Sequence, residues 1–409
     1  MRHPPAENLS HEPARAGAQH LSETGVLGLL ALLSAFIPLS TDMYLPALPT
    51  MALALHAPAS LVNLTLVLFF ICYSLGTLLW GPLSDKYGRK PVLLIGLGLY
   101  CVASIGCACV GSVYLLIACR VLQAVAGSAA PAIATALVKD LFHGRQRERG
   151  LVLIQSMVMI APIVAPLIGA GLLRFTSWHG IFWTLSIIGV AAFCWSLVLT
   201  ETVVTRFDGT MLQTLGQLVV VLRNPGFSVL LVIFSLIIMP LYAYLAASSY
   251  IYIREFGLSE MGFSAFFMAN AVCAVAAPWG YVLVARRLSG RTISTICMAV
   301  IAMSGILLCT VGRLHPWTLA LSIAPATVAM GVLRPPSVHL LLEQEQQAIG
   351  SASSLITCSL SFFGSIGMLL MTGPSLILPL GLVFLGAGVV CSILWLLLAH
   401  QPFIRQLPG

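Results

Sequence analysis

Residues 27–36, Leu-Gly-Leu-Leu-Ala-Leu-Leu-Ser-Ala-Phe, carry no charge and are apolar on every face. Residues 377–390, near the other end of the chain, have the same character. A strand of a membrane barrel alternates apolar and polar residues over about ten positions, so both stretches indicate helices. Because a helix needs roughly 20 apolar residues to cross a bilayer, the number of such runs decides the fold.

The chain holds twelve apolar runs of that length, each bounded by charged residues, Pro or Gly. Hydrophobic residues make up 59% of the 409 positions and charged residues 8%, against roughly 25% charged in an ordinary soluble domain. No soluble fold could bury so much apolar surface. The predicted transmembrane helices cover residues 24–47, 60–82, 91–110, 114–138, 151–173, 179–200, 227–252, 261–284, 292–312, 317–341, 349–371 and 375–399.

The longest interior segment outside these runs, residues 201–226, leaves six runs on either side. Within it, residues 210–223 predict either a helix on the membrane surface or a plain connecting helix. The sequences of the short basic loops at 81–90 and 283–291 are weakly similar, as in transporters with internal repeats. We therefore expect an all-α integral membrane protein with a disordered cytoplasmic N-terminus (1–22), two pseudo-symmetric six-helix bundles (23–200 and 227–400), a cytoplasmic linker (201–226) and a cytoplasmic tail (401–409).

Lys and Arg predict the orientation, because loops left in the cytoplasm are enriched in them. Most of the 20 lie in loops on one side, and the loops on the other side keep only Arg174, Arg254 and Arg313. Both termini are thus predicted to face the cytoplasm. This bias accounts for the net charge of +7, so we expect a lipid bilayer and no nucleic acid as partner. The first 20 residues show no signal-peptide pattern.

Asp42 is the only one of 13 acidic residues that lies well inside a predicted span. A carboxylate there costs roughly 2.5 to 3.5 kcal/mol on insertion scales, so it is expected to face a cavity or a partner and to mark a pathway. Such a group can gain and lose a proton as its surroundings change. A purely structural pairing with a neighbouring helix is the alternative.

Arg120 is the one basic residue deep in the N-terminal half. Its depth, roughly 9 Å from the outer end of its span, matches that of Asp42, so the two could pair. Gln123, one turn further along, offers another donor. Arg334 lies nearer the inner end of its own span, where a long side chain can reach the interface, and the sequence leaves its role open.

Several spans carry residues that weaken or interrupt a helix. Pro46 and Pro49 follow the first-span carboxylate closely, and Pro162, Pro166 and Gly169 lie in the fifth span. Each proline removes a backbone hydrogen bond, so their clustering indicates moving elements. Polar or aromatic side chains inside or at the ends of the spans are candidates for lining a substrate cavity, namely Tyr44, Asn63, Tyr73, Gln155, Tyr242 and Asn270.

The sequence offers little for metal, redox or nucleotide chemistry. All 11 cysteines lie in or at the ends of spans without C-x-x-C spacing, which indicates small packing residues. No phosphate-binding G-x-x-x-x-G-K-[ST] loop occurs, which argues against direct use of ATP. A membrane-embedded enzyme would need clustered acids or histidines at an interface, and the outer loops offer only Glu255 and Glu260. We expect no enzyme, no metal and no cofactor.

Three motifs resemble one family. Residues 40–49, Ser-Thr-Asp-Met-Tyr-Leu-Pro-Ala-Leu-Pro, resemble the first-helix signature of the bicyclomycin and chloramphenicol resistance (Bcr/CflA) group of drug:proton antiporters, within the major facilitator superfamily. Arg120-x-x-Gln123-Ala124 with Gly127 resembles the superfamily's helix 4 motif. The superfamily's loop between helices 2 and 3 is matched by Gly81, Asp85, Gly88, Arg89 and Lys90.

The resemblance implies a monomeric, proton-driven exporter of small amphiphilic drugs in a bacterial inner membrane, working by alternating access. By the family pattern, Asp42 would bind the proton or the substrate and Arg120 would link protonation to conformation. Asp85 would lie at the N-terminus of helix 11 near Gly350, where a carboxylate is favoured. Arg89 would pair with Asp140, and breaking these contacts would open the inner side. Export of a physiological metabolite, such as a sugar or amino acid, is the alternative.

Some residues depart from the family pattern. Ala161-Pro162 and Ala165-Pro166 replace the Gly-Pro step of the helix 5 antiporter motif, as in the group itself. His179 stands where the family often has Arg, and Arg334-Pro335-Pro336 in helix 10 is unusual. These departures bear on the substrate range more than on the fold.

Overall fold

The computed structural model describes residues 21–203, 211–345, 349–371 and 375–398. These residues form helices and turns, with no strand among them. Residues 1–20 of the predicted disordered N-terminus, residues 204–210 of the predicted linker and the predicted tail 401–409 lie outside the described residues.

Twelve helices in these ranges are long and apolar enough to cross a membrane, as predicted. They are α1 (Glu23–Ala54), α2 (Ala59–Tyr87), α3 (Arg89–Cys109), α4 (Val113–Leu141), α5 (Gly144–Leu173), α6 (Trp178–Leu197), α7 (Pro225–Glu255), α8 (Glu260–Val284), α9 (Gly290–Thr310), α10 (Pro316–Glu343), α11 (Gly350–Leu369) and α12 (Ile377–Leu398). The predicted connecting helix is also present, at Met211–Leu222.

Three of the helices are interrupted. In α1 an α-helix, Glu23–Asp42, is followed by a 3₁₀ turn, Leu45–Ala47, and a second α-helix, Leu48–Ala54. The prediction that this span ends at residue 47 was wrong, because Pro46 and Pro49 fall in the first turn of the next segment, where a missing N–H costs nothing. In α4 the helix breaks at Ser128, and α7 ends in a π-helical turn, Tyr250–Glu255.

The helix packing repeats with a period of six helices. The main pairs in the first half are α1 with α5, α2 with α4 and α3 with α6; those in the second half are α7 with α11, α8 with α10 and α9 with α12. This correspondence confirms two pseudo-symmetric six-helix bundles. The bundles meet chiefly through α2 against α11 and α5 against α8.

The two ends of the bundles differ in charge. The junctions of α2 with α3, of α4 with α5 and of α8 with α9 hold ten of the 20 Lys and Arg residues, in the short loops and the adjoining helix ends, and they lie at one end, here called the basic end. The other end is called the opposite end. At the basic end, Asn224 accepts hydrogen bonds from the first N–H groups of α7 and donates one of 2.8 Å to the Gln344 carbonyl after α10. This contact joins the start of the second bundle to its fourth helix.

A glycine allows α5 to approach the interruption in α1. A Cβ atom added to Gly169 would lie 2.0 Å from the carbonyl oxygen of Met43, the residue after the first segment of α1. No side chain fits there without moving backbone. Two residues further along α5, a Cβ added to Gly171 would meet no atom within 4 Å.

We predict that Gly169→Ala destabilises the protein and that Gly171→Ala does not. Forcing a methyl group into a packed contact costs about 1 to 3 kcal/mol, because helices must separate. The check is the thermal unfolding of the purified variants in the same detergent, followed by tryptophan fluorescence. Equal melting temperatures for the two variants would contradict the close contact between α1 and α5.

Candidate substrate and coupling site

Asp42 is the last residue of the first α-helical segment of α1. It is 5% exposed, and its Oδ1 accepts a hydrogen bond of 2.9 Å from the Thr41 hydroxyl. The helix is interrupted directly after it, a feature that transporters use to build binding sites at mid-membrane depth. The structure thus holds a buried carboxyl group, with one side-chain partner in the described residues, at a break in a membrane helix.

Arg120 binds the end of the same helical segment. Its side chain is completely buried, and Nη1 donates hydrogen bonds to the Ser40 carbonyl (3.0 Å) and to Gln123 Oε1 (2.7 Å). Because the segment ends at Asp42, Ser40 is one of its last four carbonyls, which lack the usual helical donor. A cation at a helix C-terminus is also favoured by the helix dipole. Arg120 therefore caps this break.

Aromatic rings surround the guanidinium group. Its central carbon lies 4.2 Å from the ring centre of Phe69, 4.7 Å from that of Tyr44 and 5.8 Å from that of Phe182. Within the described residues, Arg120 Nε and Nη2 have no hydrogen-bond partner. Cation–π attraction of the kind found over aromatic faces offsets part of the cost of burying this charge.

The expected ion pair between Asp42 and Arg120 is not formed among the described residues. Arg120 contacts the backbone of Ser40, whereas the Asp42 carboxylate accepts from its own neighbour, Thr41. Equal depth was the basis for expecting the pair. Depth along two helices does not fix the direction of a side chain around either axis, which explains the difference.

Hydrogen bonds link α1, α3 and α4 around the cap. Gln123 donates to Ser104 at 2.8 Å, and the hydroxyls of Ser40 and Tyr100 lie 2.6 Å apart. Gln123 thus both accepts from Arg120 and donates to α3. The break in α1 is held by a connected polar network inside an apolar bundle, where each unmade bond would cost free energy.

The residues expected to line a cavity occupy different environments. Tyr44 is completely buried and its hydroxyl bonds to Thr65, so it supports Arg120 instead of lining a cavity. Asn63 is buried, and its Oδ1 has no partner in the described part of the chain. Asn270 accepts a 2.8 Å hydrogen bond from Thr327 and joins α8 to α10.

The remaining three candidates are more accessible. Gln155 is exposed on α5, while Tyr73 and Tyr242 are half-buried. The centre of the Tyr242 ring lies 4.9 Å from that of the Phe70 ring, and the angle between the two ring planes is 68°. Since Tyr242 belongs to α7 and Phe70 to α2, this contact lies between the two bundles.

The basic end holds the predicted loop motif. Arg89 Nε lies 2.9 Å from Asp140 Oδ2, which is the expected contact, and Arg89 also pairs with Asp85 and donates to Ser84. The Asp85 side chain is 49% exposed and makes no hydrogen bond to the described residues around Gly350. The expected contact between Asp85 and α11 is therefore not formed in this structure, because the carboxylate turns to Arg89 within its own bundle.

Glu201 is a residue of this cluster that sequence reasoning missed. Its carboxylate accepts the backbone N–H groups of Arg89 (2.8 Å) and Lys90 (3.2 Å) at the N-terminus of α3, where a negative charge is favoured. Gly88 has a φ of +104°, a backbone conformation that residues with a Cβ rarely adopt, so the motif needs glycine there.

The other two positions of the loop motif differ in their surroundings. The Lys90 ammonium group donates a hydrogen bond of 2.8 Å to the Leu197 carbonyl. A Cβ added to Gly81 would meet no atom within 4 Å, so this structure gives no steric reason for glycine at that position.

Three hydrogen bonds join the bundles near the opposite end. Arg254 donates to the Pro49 carbonyl at 2.8 Å, and the Tyr250 hydroxyl donates to the Leu48 carbonyl at 3.4 Å. Ser264 of α8 donates to the carbonyl of Pro166 in α5 at 3.0 Å. Pro162 and Pro166 also remove two N–H donors from α5 between the opposite end and the basic end. The hydrogen bonds to the Leu48, Pro49 and Pro166 carbonyls, here called the latches, thus hold the two bundles together on one side of the site.

Comparisons with known proteins agree with this architecture. A 30% identical relative, the uncharacterized MFS-type transporter YdgK of Bacillus subtilis, matches over 94% of this chain and 96% of its own length. The bicyclomycin resistance protein homolog of Haemophilus influenzae is 29% identical, over 89% of this chain and 93% of its own. The crystal structure of a D-xylose-proton symporter superposes with a TM-score of 0.73 at 14% identity, covering 91% of this chain and 97% of that one.

The family assignment follows from the sequence as a whole. The Major Facilitator Superfamily pattern matches residues 30–368, which include eleven of the twelve membrane helices in whole or large part. With the interrupted first helix, the buried Arg120 and the paired bundles in place, this chain belongs to the Major Facilitator Superfamily and, among its members, is similar to the bicyclomycin and chloramphenicol resistance group.

Proposed function

We propose that this transporter exports small amphiphilic drugs in exchange for protons, with Asp42 as the group that exchanges them. The observation that carries the proposal is the burial of Asp42 at the break in α1, beside a helix end that Arg120 already caps. A buried carboxylate is tolerated in a membrane helix chiefly where it serves a pathway. Drug export is supported by the printed names of relatives, which include a bicyclomycin resistance protein homolog and a chloramphenicol resistance protein.

The coupling follows from the electrostatics of the break. The C-terminal end of a helix carries a partial negative charge, and an ionised Asp42 adds to it. Arg120 offsets this negative charge through its hydrogen bond to the Ser40 carbonyl. A proton on Asp42 removes the negative charge, whereas a substrate amine, amide or hydroxyl group donates a hydrogen bond to the ionised carboxylate. Proton and substrate therefore compete for one carboxylate, which is what an exchange mechanism requires.

The state of the structure fits one step of alternating access. With the basic end in the cytoplasm of a bacterial inner membrane, the latches at Pro49, Leu48 and Pro166 close the outer side. In this scheme, the absence of a contact between Asp85 and α11 corresponds to the inward-facing step, with Asp85 paired to Arg89 in its own bundle. In the outward-facing state Asp85 would move to the N-terminus of α11, and Arg89 with Asp140 would hold the loop that carries it.

In this scheme, transport requires no nucleotide, metal or organic cofactor. The free energy comes from the proton gradient, and each bundle rocks as a unit about the site, so a monomer suffices. Proline residues in α5 let the helix bend while its ends stay packed.

The proposal predicts that Asp42→Asn abolishes gradient-driven transport while the protein stays folded. Asparagine keeps the size of the side chain but cannot ionise. The test uses liposomes with an interior more acidic than the bath, measuring accumulation of labelled chloramphenicol. Glu148→Gln, an exposed acid at the basic end, is the matched control and is expected to transport normally.

The outcome that contradicts the role of Asp42 is full pH-gradient-driven accumulation by the Asp42→Asn protein. If the unchanged protein accumulates no compound of a drug panel, and protects no efflux-deficient host from any of them, drug export itself is wrong. A physiological metabolite is then the substrate to seek.

A second prediction concerns Arg89. Loss of its contacts with Asp85 and Asp140 in Arg89→Ala slows exchange roughly tenfold without weakening substrate binding, because a charge-assisted hydrogen bond contributes about 1.5 to 3 kcal/mol. Exchange of labelled substrate across liposomes gives the rate, and equilibrium binding in detergent gives the affinity. Arg145→Ala, at an exposed position in the first turn of α5, serves as the control. Lost binding with an unchanged exchange rate would refute a gating role.

A further inference from the structure

A cavity lies at the basic end of the second bundle and shares no residue with the coupling site. It has a volume of about 250 Å³ and is lined by residues of α7, α8, α9, α10 and α12, among them Tyr281, Ser289, Ser294, His339 and Trp395. Each of these five lies about one turn or less from the end of its helix. Pockets for drug-sized molecules measure roughly 300 to 1,000 Å³, so this cavity suits a smaller group.

The N-terminus of α9 forms one edge of the cavity. Ser289 and Gly290 line it, and the Ser289 hydroxyl accepts the Thr292 N–H at 3.3 Å. The N–H groups of Gly290 and Arg291 precede that contact, and the first N–H groups of a helix have no acceptor within the helix. With the partial positive charge of the helix dipole, such an end favours an anion.

Trp395 gives a second and independent reason to expect an acceptor in the cavity. Its side chain is 1% exposed and lines the cavity from α12. Its Nε1–H has no hydrogen-bond partner among the described residues. The N–H of a buried tryptophan usually has a partner, because a donor left unpaired after desolvation costs free energy. An oxygen atom of a bound ligand would supply the missing acceptor.

Three exposed arginines flank the cavity and are next in the chain to residues that line it. They are Arg286, Arg287 and Arg291, and none of them forms an ion pair within the ranges that the structure covers. The described residues that line the cavity include no acid. Glu343, one turn beyond the lining residue His339, is paired with it at 3.1 Å. The charge around the cavity therefore favours an anionic ligand.

The surface beside the cavity is apolar and faces outward. Val282 and Leu283 are exposed at the end of α8, and Leu288 is exposed and also lines the cavity. Basic pockets between membrane helices bind the phosphate groups of anionic lipids, whose acyl chains lie against apolar side chains such as these. A free phosphate ion would match the arginines and leave the apolar edge uncovered. The combination favours a lipid.

We propose that this cavity binds the phosphate head group of an anionic phospholipid from the leaflet at the basic end. The phosphate oxygens would accept the Trp395 N–H and the first N–H groups of α9, and the flanking arginines would add electrostatic attraction. Because residues of five helices line the cavity, the lipid would hold the basic end of the second bundle together. The site is separate from Asp42, so the inference does not depend on drug export.

The test is native mass spectrometry of the purified protein, titrated in detergent with phosphatidylglycerol or with phosphatidylcholine of the same acyl chains. The unchanged protein is expected to bind the first phosphatidylglycerol at least tenfold more tightly than phosphatidylcholine. Trp395→Phe keeps the ring and removes the N–H, so it weakens that binding about tenfold. Arg287→Gln and Arg291→Gln each weaken it about fivefold.

The matched controls are Trp317→Phe, an exposed tryptophan at the opposite end, and Arg147→Gln, an exposed arginine at the basic end of the first bundle. Both are expected to leave the affinity unchanged. A loss in Arg147→Gln equal to that in Arg291→Gln would indicate diffuse attraction and overturn the inference, and an unchanged affinity in Trp395→Phe would overturn it as well.

Two further comparisons need no variant, so they hold even if Trp395→Phe fails to fold. Equal affinity of the unchanged protein for phosphatidylglycerol and phosphatidylcholine contradicts an anionic lipid site. Inorganic phosphate, added at the concentration of the lipid, is expected to leave the bound phosphatidylglycerol in place. Its displacement would assign the cavity to free phosphate and overturn the lipid as its ligand.

Discussion

The structure depends on one interruption, at the end of the first segment of α1. A membrane helix that stops at mid-depth leaves backbone carbonyls without donors, and in an apolar bundle each such group costs free energy. Here Arg120 bonds to the Ser40 carbonyl, Gln123 holds Arg120, and Gly169 lets α5 pass against the Met43 carbonyl. The carboxylate of Asp42 sits at this helix end. A site built in this way is sensitive to charge, because the groups that hold it are themselves charged or polar.

The two ends of the molecule explain how a change at this site could reach the membrane surfaces. At the opposite end, α1 and α5 accept hydrogen bonds from α7 and α8 through three backbone carbonyls, two of them on prolines and the third on the residue before a proline. At the basic end, Arg89, Asp140 and Glu201 hold the start of α3 within one bundle. Because α1 and α5 take part in both the interruption and the latches, the proposed mechanism would transmit a movement at Asp42 along packed helices, without a separate signalling element.

Much of this arrangement was predictable from the sequence, and the failures have physical reasons. Apolar runs fix the number of helices, and the local prolines indicate the weakened helix beside Asp42. The partner of Arg120 was not predictable, since equal depth leaves the direction of both side chains open. Glu201 was missed because its contact with Arg89 joins residues 112 positions apart, and a lone acid after a span carries no signal of its target. The polar hydroxyl of Tyr44 was the reason for expecting it to line a cavity, yet its ring packs against Arg120 inside the bundle.

The proposed transport mechanism requires that Asp42 exchange a proton for substrate. The most direct measurement is proton release from purified protein in weakly buffered detergent solution, followed with a pH indicator as saturating substrate is added. The unchanged protein is expected to release protons on binding, and Asp42→Asn is expected to bind the same substrate without releasing any. Equal proton release from both proteins would contradict it.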